Sequence, residues 1–594
     1  GTGGAWPVSS DRMVWALAAW EIYKVTGDKQ WLKQIYSIIK KSYQSDILTI
    51  YDKKTGLMNG ESSFLDWREQ SYPAWMDPKD IYLSKNLGTN AVHFQAYNIL
   101  AQMARVLGEP SDEYLRIAER IKKAMNKYLW IDDKGYYGQY LYGREYFSLS
   151  PKSEALGEAL TVLFDIAESH KQNQIVERTP IMDFGIPTIY PQIPNIPPYH
   201  NNSVWPFVES FWALASAKVN NVNSVKLAMA SIYRAAALFL TNKENIVVST
   251  GDHMGTEINS DRQLWSLAGN LALTYRLIYG MNFENNRLIL KPFIPEEFNG
   301  ERALTNFKYR NSILDITLEG YGNRIKSVTI DGKTVKDAVI PGNMKGKHNI
   351  VIRMANNTFE NSSVNLVNDL IAPETPQLKF SDSLLRWDKT EGADRFALYR
   401  NGTKLFETKE LSIKPNTSEL FSQYQVLALS GNLTESFLSA PVNLYKRSNK
   451  EVIEAETINR YKANQYSGFT GDGYIKLSKD ENKTINFTVT VPNSGGYSID
   501  FRYSNGNGPI NTDNKCAIRN LKIDGNFAGA VILPQRGDGS WTDWGYSNPV
   551  SATLTAGSHN LELYFDEIND NMNGTENSAL LDHIRITEVR NNGK

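Results

Sequence analysis

Several features are scarce in this sequence of 594 residues, and each absence narrows the class of protein. A single cysteine, Cys516, excludes a disulfide bond within the chain. No apolar run is long enough to cross a bilayer, so no membrane span is expected. The 64 basic and 65 acidic residues nearly cancel, which gives no reason to expect nucleic acid or an anionic membrane as partner. Nothing in the composition indicates an oligomeric state.

Histidine is also scarce, with seven residues, and no ligand spacing around them indicates a catalytic metal site. We therefore expect no cofactor for catalysis. The chain contains no signal peptide and opens with Gly1 rather than Met, so we expect that a leader was removed or that residues lie upstream.

Aromatic residues are plentiful, at 11% of the chain with 31 Tyr and 13 Trp, and this composition is typical of proteins that contact carbohydrate. The hydrophobic content of 41% is ample for packed cores, and the length implies several domains.

Residues 1–281 predict helices joined by long polar loops, because apolar residues recur at helical spacing between Thr-Gly-type breaks. Helical hairpins in series favour an α/α toroid whose loops form a cleft at one end. The predicted helices are Met13–Val25, Trp31–Leu48, Ala91–Leu107, Ser111–Leu129, Ser153–His170, Val204–Val219, Ser224–Leu240 and Leu264–Tyr279.

The loop Gly60–Asp77 interleaves carboxylates with aromatic residues. An aromatic face can hold a pyranose ring, and a neighbouring carboxyl can give or take a proton, so this loop suits sugar chemistry. A solvated loop with a few buried rings is the alternative. The carboxylates are Glu61, Asp66, Glu69 and Asp77.

Three further loops carry polar and aromatic residues that could bind a sugar. A first segment, WPVSSDRMVW, holds Trp6, Asp11 and Arg12, although Ser10 or Asp11 could simply cap the following helix. The other two segments are PPYHNNSVWPF, with His200, Asn201 and Trp205, and STGDHMGTEINSDRQLWSLAG, with Glu257. A lone histidine such as His200 is more often structural than catalytic.

These segments resemble parts of known glycosidases. YHNNSVWPF is similar to a segment of amylo-α-1,6-glucosidase domains and of family 63 glycoside hydrolases, and SSFLDWREQSYPAW resembles the acid-bearing segment of family 63 enzymes and family 37 trehalases. GTEINSDRQLWSLAG resembles the segment that carries their catalytic base. The combination, over roughly residues 1–354, is typical of six-hairpin glycosidases.

The resemblance implies an inverting, exo-acting hydrolase of an α-linked glucoside or mannoside. It implies Asp66 as general acid, with Glu69 in reserve because the register of this loop departs from the family pattern, and Glu257 as general base. The two carboxyls should be on the order of 6.5–9.5 Å apart, to admit the attacking water. The expected sugar-binding residues are Trp6, Asp11, Arg12, Trp67, His200, Asn201 and Trp205.

Two other classes of protein stay open at this stage. A polysaccharide lyase on the same toroid would need a Tyr, His or Lys base and cations against a uronate, whereas these loops are richer in carboxylates. A glycan-binding protein without catalysis would have lost carboxylates that Glu61–Asp77 retains. We also count about eight or nine helices against the twelve of six hairpins, so we expect the first hairpins upstream of Gly1 if the barrel is complete.

The remainder of the chain predicts β-structure, because apolar residues alternate and turn dipeptides recur. We expect a small β-domain closing the barrel at 282–354, a linker at 355–372 and a sandwich at 373–447. LRWDKTEGADRFALYRNG resembles fibronectin type III strands, which implies that Trp387 and Tyr424 lie in a core.

Residues 450–594 resemble carbohydrate-binding modules of families 6 and 35, carried by IEAETINRY, DGYIKL and SALLDHIRITEV. That resemblance implies a structural calcium ion held by Glu454, Glu456 and Asp582, because a hard cation prefers oxygen ligands. Trp541 and Trp544 could form a sugar platform or belong to the core. We accordingly expect an oligo- or polysaccharide as partner and an exported protein of bacterial type, in the periplasm, on the cell surface or outside the cell.

Overall fold

The computed structural model describes residues 11–62, 64–65, 68–360, 362–431, 434–446, 450–458, 464–508, 515–570 and 576–591. Within these ranges the chain is helical up to residue 278 and dominated by β-strands beyond it. The predicted multidomain organisation, helical first and sheet-rich second, is confirmed.

The helical domain contains eleven α-helices in the described residues, of which nine have nine or more residues. Their apolar faces meet in one core. The helices are α1 (Asp11–Thr26), α2 (Lys29–Thr49), α3 (Arg68–Ser71), α4 (Pro78–Leu83), α5 (Leu87–Leu107), α6 (Asp112–Tyr128), α7 (Ala155–Leu163), α8 (Ser169–Arg178), α9 (Pro206–Lys218), α10 (Val222–Phe239) and α11 (Leu264–Ala272), the last continued by a π-helical turn (Leu273–Ile278).

The long helices form hairpins arranged side by side. Helices α1, α5, α7, α9 and α11 each pack on the next, while α2, α6, α8 and α10 pack outside them as hairpin partners. This is the arrangement of an α/α toroid with an inner and an outer layer. None of the helices in the described part of the chain combines the length and the apolar character that a membrane span requires.

One predicted helix is wrong, because Ser153–His170 forms two elements instead of one. Helix α7 ends at Leu163, where the Lys218 ammonium donates to the carbonyl oxygens of Val162 and Leu163 at 2.8 and 3.1 Å. Asp165 then adopts a left-handed backbone with φ of 58°, which turns the chain before α8 begins. Apolar periodicity did not reveal this turn.

Short strands pair in the loops of the helical domain and tie those loops together. A three-stranded sheet and several two-stranded ladders satisfy backbone groups that would otherwise be buried without partners. The strands are Tyr51–Asp52 with Leu57–Met58; Lys85–Asn86, Tyr140–Gly143 and Phe147–Leu149; Trp130–Ile131 with Tyr136–Tyr137; Ser153–Glu154 with Ile189–Tyr190; and Ser203–Val204 with Ile246–Val247.

Two sheets follow the last helix. Their buried residues, among them Leu314, Ile316 and Ile350, belong to the same core as the helices. The first sheet joins Met281–Phe283, Arg287–Leu290 and Val339–Pro341, and the second has the order Glu301–Tyr309, Ser312–Glu319, Gly346–Met354, Ile325–Ile330 and Lys333–Val335.

The segment 362–372, predicted to lie in a linker, runs along the helical domain. Asn365–Leu366 pairs in parallel with Pro180–Ile181, and the Asn221 side chain donates to the carbonyl oxygen of Ser363 at 2.8 Å. The backbone of this segment is held to the helical domain by these bonds, so it does not act as a free tether.

The middle β-domain has a three-stranded and a four-stranded sheet packed around one small core. Trp387 and Tyr424 are buried there, as predicted. The strands are Leu378–Ser381, Leu384–Trp387 and Ser412–Ile413 in one sheet, and Thr403–Thr408, Arg395–Arg400, Phe421–Leu429 and Val442–Tyr445 in the other.

The C-terminal domain is a two-sheet sandwich. Phe501 and Ile584 from one sheet meet Phe487 and Leu561 from the other in a single core. The first sheet contains Lys450–Glu454, Ile475–Leu477, Gly495–Ser504, Gly545–Tyr546, Val550–Leu554 and Ala579–Asn591; the second contains Thr484–Val491, Gly557–Tyr564, Ala517–Ile523 and Asn526–Leu533.

This sandwich is docked on the helical domain. Cys516, Ile518 and Ile532 are fully buried and belong to the core of the helices rather than to that of the sandwich. At the same junction the Ser45 hydroxyl donates to the carbonyl oxygen of Ile568 at 3.3 Å, and helix α2 contacts Asn526–Leu533.

Candidate active site

The predicted catalytic loops lie at one end of the helical domain. Strand pairings join the segments that precede the inner helices α5, α7, α9 and α11, so the N-terminal ends of these helices share one face. The chain reaches that face in the segments 50–86, 130–154, 180–205 and 240–263, which precede α5, α7, α9 and α11. Three of these four segments contain the predicted acid, sugar-binding and base residues.

A single side chain, Gln70, joins the three loops. Its Nε2 donates to Glu257 Oε2 at 2.9 Å, and its Oε1 accepts from the backbone N–H of Asn201 at 3.3 Å. Gln70 lies in α3 and is 2% exposed. The structure therefore brings the loop Gly60–Asp77, the segment around Asn201 and Glu257 together, although they are far apart in sequence.

The carboxylates of this site differ in exposure. Glu257 and Glu69 are both exposed, and the backbone N–H of Glu257 donates to the carbonyl oxygen of Pro198 at 2.9 Å. An exposed carboxylate can reach a bound sugar and its water. The predicted acid Asp66 lies outside the described residues, as do Trp67 and Trp6, and Asp11 and Arg12 are described by their backbone alone.

Trp205 is 0% exposed and is enclosed by other rings. Phe64 meets it edge to face at 4.9 Å, Trp265 meets it at 5.4 Å, and its Nε1 donates to the carbonyl oxygen of Tyr199 at 2.8 Å. The prediction that its indole covers a sugar face does not agree with this burial, since no sugar can stack on an enclosed ring. Trp265, 42% exposed and stacked on Phe207, presents an accessible indole instead.

His200 and Asn201 are also buried, at 3% and 1% exposed. Burial lowers the pKa of His200 to about 3 and so favours the neutral ring. The Asn201 side chain accepts from the backbone N–H of Ile193 at 2.8 Å and donates to the Ile193 carbonyl at 3.0 Å. Both residues shape the loop that meets Gln70, a supporting role rather than the direct sugar contact that was predicted.

Sequence reasoning missed a polar network beside Glu257. Glu244, 6% exposed, accepts from the Tyr199 hydroxyl at 3.1 Å and from the Ser260 hydroxyl at 2.8 Å, and Ser260 Oγ in turn accepts from Gln263 Nε2 at 3.0 Å. This network connects the start of α11 to the loop before α9. An isolated Glu in the segment TNKEN carries no local pattern, so only the fold reveals its role.

A buried carboxyl at the start of α7 was missed as well. Glu154 is 1% exposed, and burial raises its pKa to about 7. That pKa would suit a general acid, but the Glu154 carboxylate caps α7 by accepting from the backbone N–H of Gly157 at 3.0 Å. The capping bond and the burial make Glu154 a structural residue of the helix rather than a proton donor to substrate.

The predicted calcium ligands meet in the C-terminal sandwich. Ligand atoms of Glu454, Asp582 and His583 all lie within 4.8 Å of one another. Asp582 is fully buried and is ion-paired to Arg502, and its Oδ1 accepts from the backbone N–H of Thr470 at 3.0 Å. Burial opposes ionisation of Asp582, but hydrogen bonds from His583 and Arg502 hold its pKa below the usual value.

Glu456 also belongs to this cluster. A Cβ at Gly471 would collide with Glu456 Oε1 and would contact the Glu454 side chain, so the two glutamates flank the same glycine. Glu456 Oε2 is buried and has no hydrogen-bond partner among the residues that the structure describes. A buried carboxylate oxygen without a donor, beside two further carboxylates, fits the oxygen-rich coordination of Ca²⁺.

Chelation provides a test of this cation site. In the intact chain we expect EDTA to lower the melting temperature of the C-terminal sandwich and excess Ca²⁺ to restore it. An ion bound only by the folded state stabilises that state, by about 2.7 kcal/mol at a hundred times its dissociation constant. The Glu456→Gln variant should lose most of this response. Calorimetric traces that coincide with and without chelator would rule the site out.

Comparisons with known proteins agree with the helical architecture. The family model of the bacterial α-L-rhamnosidase six-hairpin glycosidase domain matches residues 7–181. Over these residues the helical part of this chain is similar to a six-hairpin glycosidase domain. The matching model is of the rhamnosidase type, whereas the sequence segments resembled other six-hairpin glycosidases.

Relatives also match only part of the chain. A cycloisomaltooligosaccharide glucanotransferase of Niallia circulans is 26% identical over 253 residues, which cover 39% of this chain and 25% of that protein. The chain thus spans about a quarter of the length of this curated relative. A solved structure of a cycloisomaltooligosaccharide glucanotransferase from Paenibacillus, complexed with cycloisomaltoheptaose, matches 23% of this chain and 18% of its own, with 29% identity and a TM-score of 0.19. A family 35 carbohydrate-binding module from Clostridium thermocellum matches 24% of this chain and 94% of its own, with 19% identity and a TM-score of 0.17.

Proposed function

We propose that this protein is an inverting glycoside hydrolase that removes terminal sugars from an α-linked glycan, with its active site at the N-terminal ends of the inner helices. One observation carries the proposal: Gln70 links the predicted acid loop, the loop before α9 and the predicted base Glu257 at one surface. The match of residues 7–181 to a six-hairpin glycosidase domain supports the same reaction class.

In the proposed reaction Glu257 takes a proton from water while the water oxygen forms a bond to the anomeric carbon. The bond from that carbon to the leaving oxygen breaks, and a general acid gives this oxygen a proton. Inversion needs a gap on the order of 6.5–9.5 Å between the two carboxyls, and residues on separate loops of one face can provide it.

We assign the acid to the loop Gly60–Asp77, with Asp66 first and Glu69 second. A general acid must hold its proton near neutral pH, and burial among apolar groups is the usual means of achieving this. Glu69 is exposed, so it lacks the apolar enclosure that this role needs. This exposure supports Asp66 over Glu69.

The substrate class follows from the relatives and from the site. Two relatives are named cycloisomaltooligosaccharide glucanotransferase, which makes an α-linked glucan the first substrate to test, and the rhamnosidase type of the family model adds an α-L-rhamnoside to the glucosides and mannosides. The exposed Trp265 indole supplies a surface on which a pyranose can stack.

We further propose that the C-terminal sandwich binds glycan, with Ca²⁺ as a structural ion, and that the protein works outside the cytoplasm on an oligo- or polysaccharide. The residues available for sugar contact are Trp541 and Trp544, both partly exposed. Trp544 is tilted against Tyr474 at 5.4 Å, and its Nε1 donates to the carbonyl oxygen of Ser467 at 2.9 Å, so its orientation is fixed.

A panel of aryl α-glucosides, α-mannosides and α-L-rhamnosides, together with α-glucans, tests the proposal by release of aryl alcohol or reducing sugar. Proton NMR of the first-formed sugar should show the inverted anomer. An absorbance rise from an unsaturated product on uronate polymers, without reducing sugar from the panel, would instead identify a lyase.

A further inference from the structure

We infer that Gln70 is a positioning residue, which sets the direction of the Glu257 carboxylate and fixes the spacing between base and acid loop. The inference rests on the proposed function, because it assigns to Gln70 a role in that reaction. No part of the sequence pattern pointed to Gln70, which sits between Glu69 and Ser71 in the short helix α3.

The geometry allows Gln70 only one orientation of its amide. The backbone N–H of Asn201 needs an acceptor, and the Glu257 carboxylate needs a donor, so Oε1 must face Asn201 and Nε2 must face Glu257. A side chain that is 2% exposed and whose amide nitrogen and oxygen are both hydrogen-bonded has little freedom to rotate. The bond from Gln70 thus holds the exposed carboxylate of Glu257 in one direction.

The bond also gives the two carboxylate oxygens of Glu257 different roles. Oε2 of Glu257 receives the amide hydrogen of Gln70. The other oxygen is then left to accept the proton of the attacking water. Displacing a reacting group by about 1 Å can cost on the order of 10²-fold in rate, so the orientation of this carboxylate has a direct kinetic value.

Two substitutions separate positioning from simple packing. Gln70→Met keeps the length and volume of the side chain but removes both bonds, and kcat on an aryl glycoside should fall roughly 10- to 100-fold while KM changes little.

Gln70→Glu keeps the bond to Asn201 but places two carboxyls in contact. Like charges hinder ionisation, so the acidic limb of the pH profile of kcat/KM should move upward by about one pH unit or more.

Gln172 provides a matched control. It lies on α8, is 7% exposed, and its Nε2 likewise donates to a carboxylate, Asp165 Oδ1, at 3.0 Å. Gln172→Met should lower the melting temperature about as much as Gln70→Met and leave kcat and the pH profile unchanged.

An unshifted pH profile in Gln70→Glu, or equal losses of kcat in Gln70→Met and Gln172→Met, would overturn the inference. Glu257→Gln separates this failure from failure of the proposed function. If Glu257→Gln retains turnover, the proposed function fails and the inference with it; if it is inactive while both Gln70 variants behave as wild type, only the positioning role is refuted.

Discussion

Glu257→Gln is expected to reduce turnover about 10²–10⁴-fold on every glycoside that the protein hydrolyses, because without this base no water is activated. The loss should be the same for good and poor leaving groups, since the attacking water is common to all of them. Glu257 is exposed, so removing its charge should leave the melting temperature within about 1 °C of wild type, as for surface substitutions in general. Initial rates on the aryl-glycoside panel and calorimetry measure the two quantities.

Glu284→Gln is the control for this experiment. Glu284 pairs with Arg287 in the first sheet after the helices, and we assign it no part in the site. It should retain full activity. Turnover by Glu257→Gln within tenfold of wild type would mean that the base lies elsewhere, and the proposed mechanism would be abandoned.

The second large effect concerns the acid. Asp66→Asn should slow substrates with poor leaving groups about 10²–10⁴-fold and hardly affect aryl glycosides whose leaving groups are acidic, because an acidic phenol departs without a proton. A plot of log kcat against leaving-group pKa should therefore be steep for the variant and shallow for wild type. Glu69→Gln, on the exposed neighbouring residue, should resemble wild type in both.

The variant that shows the steep leaving-group dependence identifies the general acid. If Glu69→Gln acquires the steep dependence and Asp66→Asn does not, the acid is Glu69. If neither variant does, the loop Gly60–Asp77 is not the acid loop. A first product with retained anomeric configuration would indicate a nucleophile about 5–5.5 Å from the acid and would exclude inversion.

The sequence predicted the architecture well wherever one period dominated. The helical spacing in Trp31–Leu48 and Ala91–Leu107 reappears in α2 and α5, because the burial of one apolar face determines both the pattern and the element. It failed at Leu163, where the helix ends through bonds from Lys218, a residue 55 positions away. Local periodicity contains no information about such a partner.

The site was predicted as a set of loops but not as a set of contacts. Trp205 and Trp265 look alike in sequence, since each stands at the start of an inner helix, yet one is enclosed and the other exposed. Gln70 and Glu244 are ordinary polar residues in sequence and acquire their roles only from partners brought in by other loops. Exposure and partnership depend on tertiary packing, which spacing along the chain does not encode.

Docking of the C-terminal sandwich sets a minimum length for any glycan that could contact both domains. A flexible tether would raise the local concentration of a glycan bound by the sandwich, by an amount that depends on the length of the tether. Here Ile518 and Ile532 are embedded in the core of the helices, so the distance from the sandwich to the helical domain is constant. If the sandwich binds glycan as proposed, only a chain long enough to span that distance can contact both domains at once.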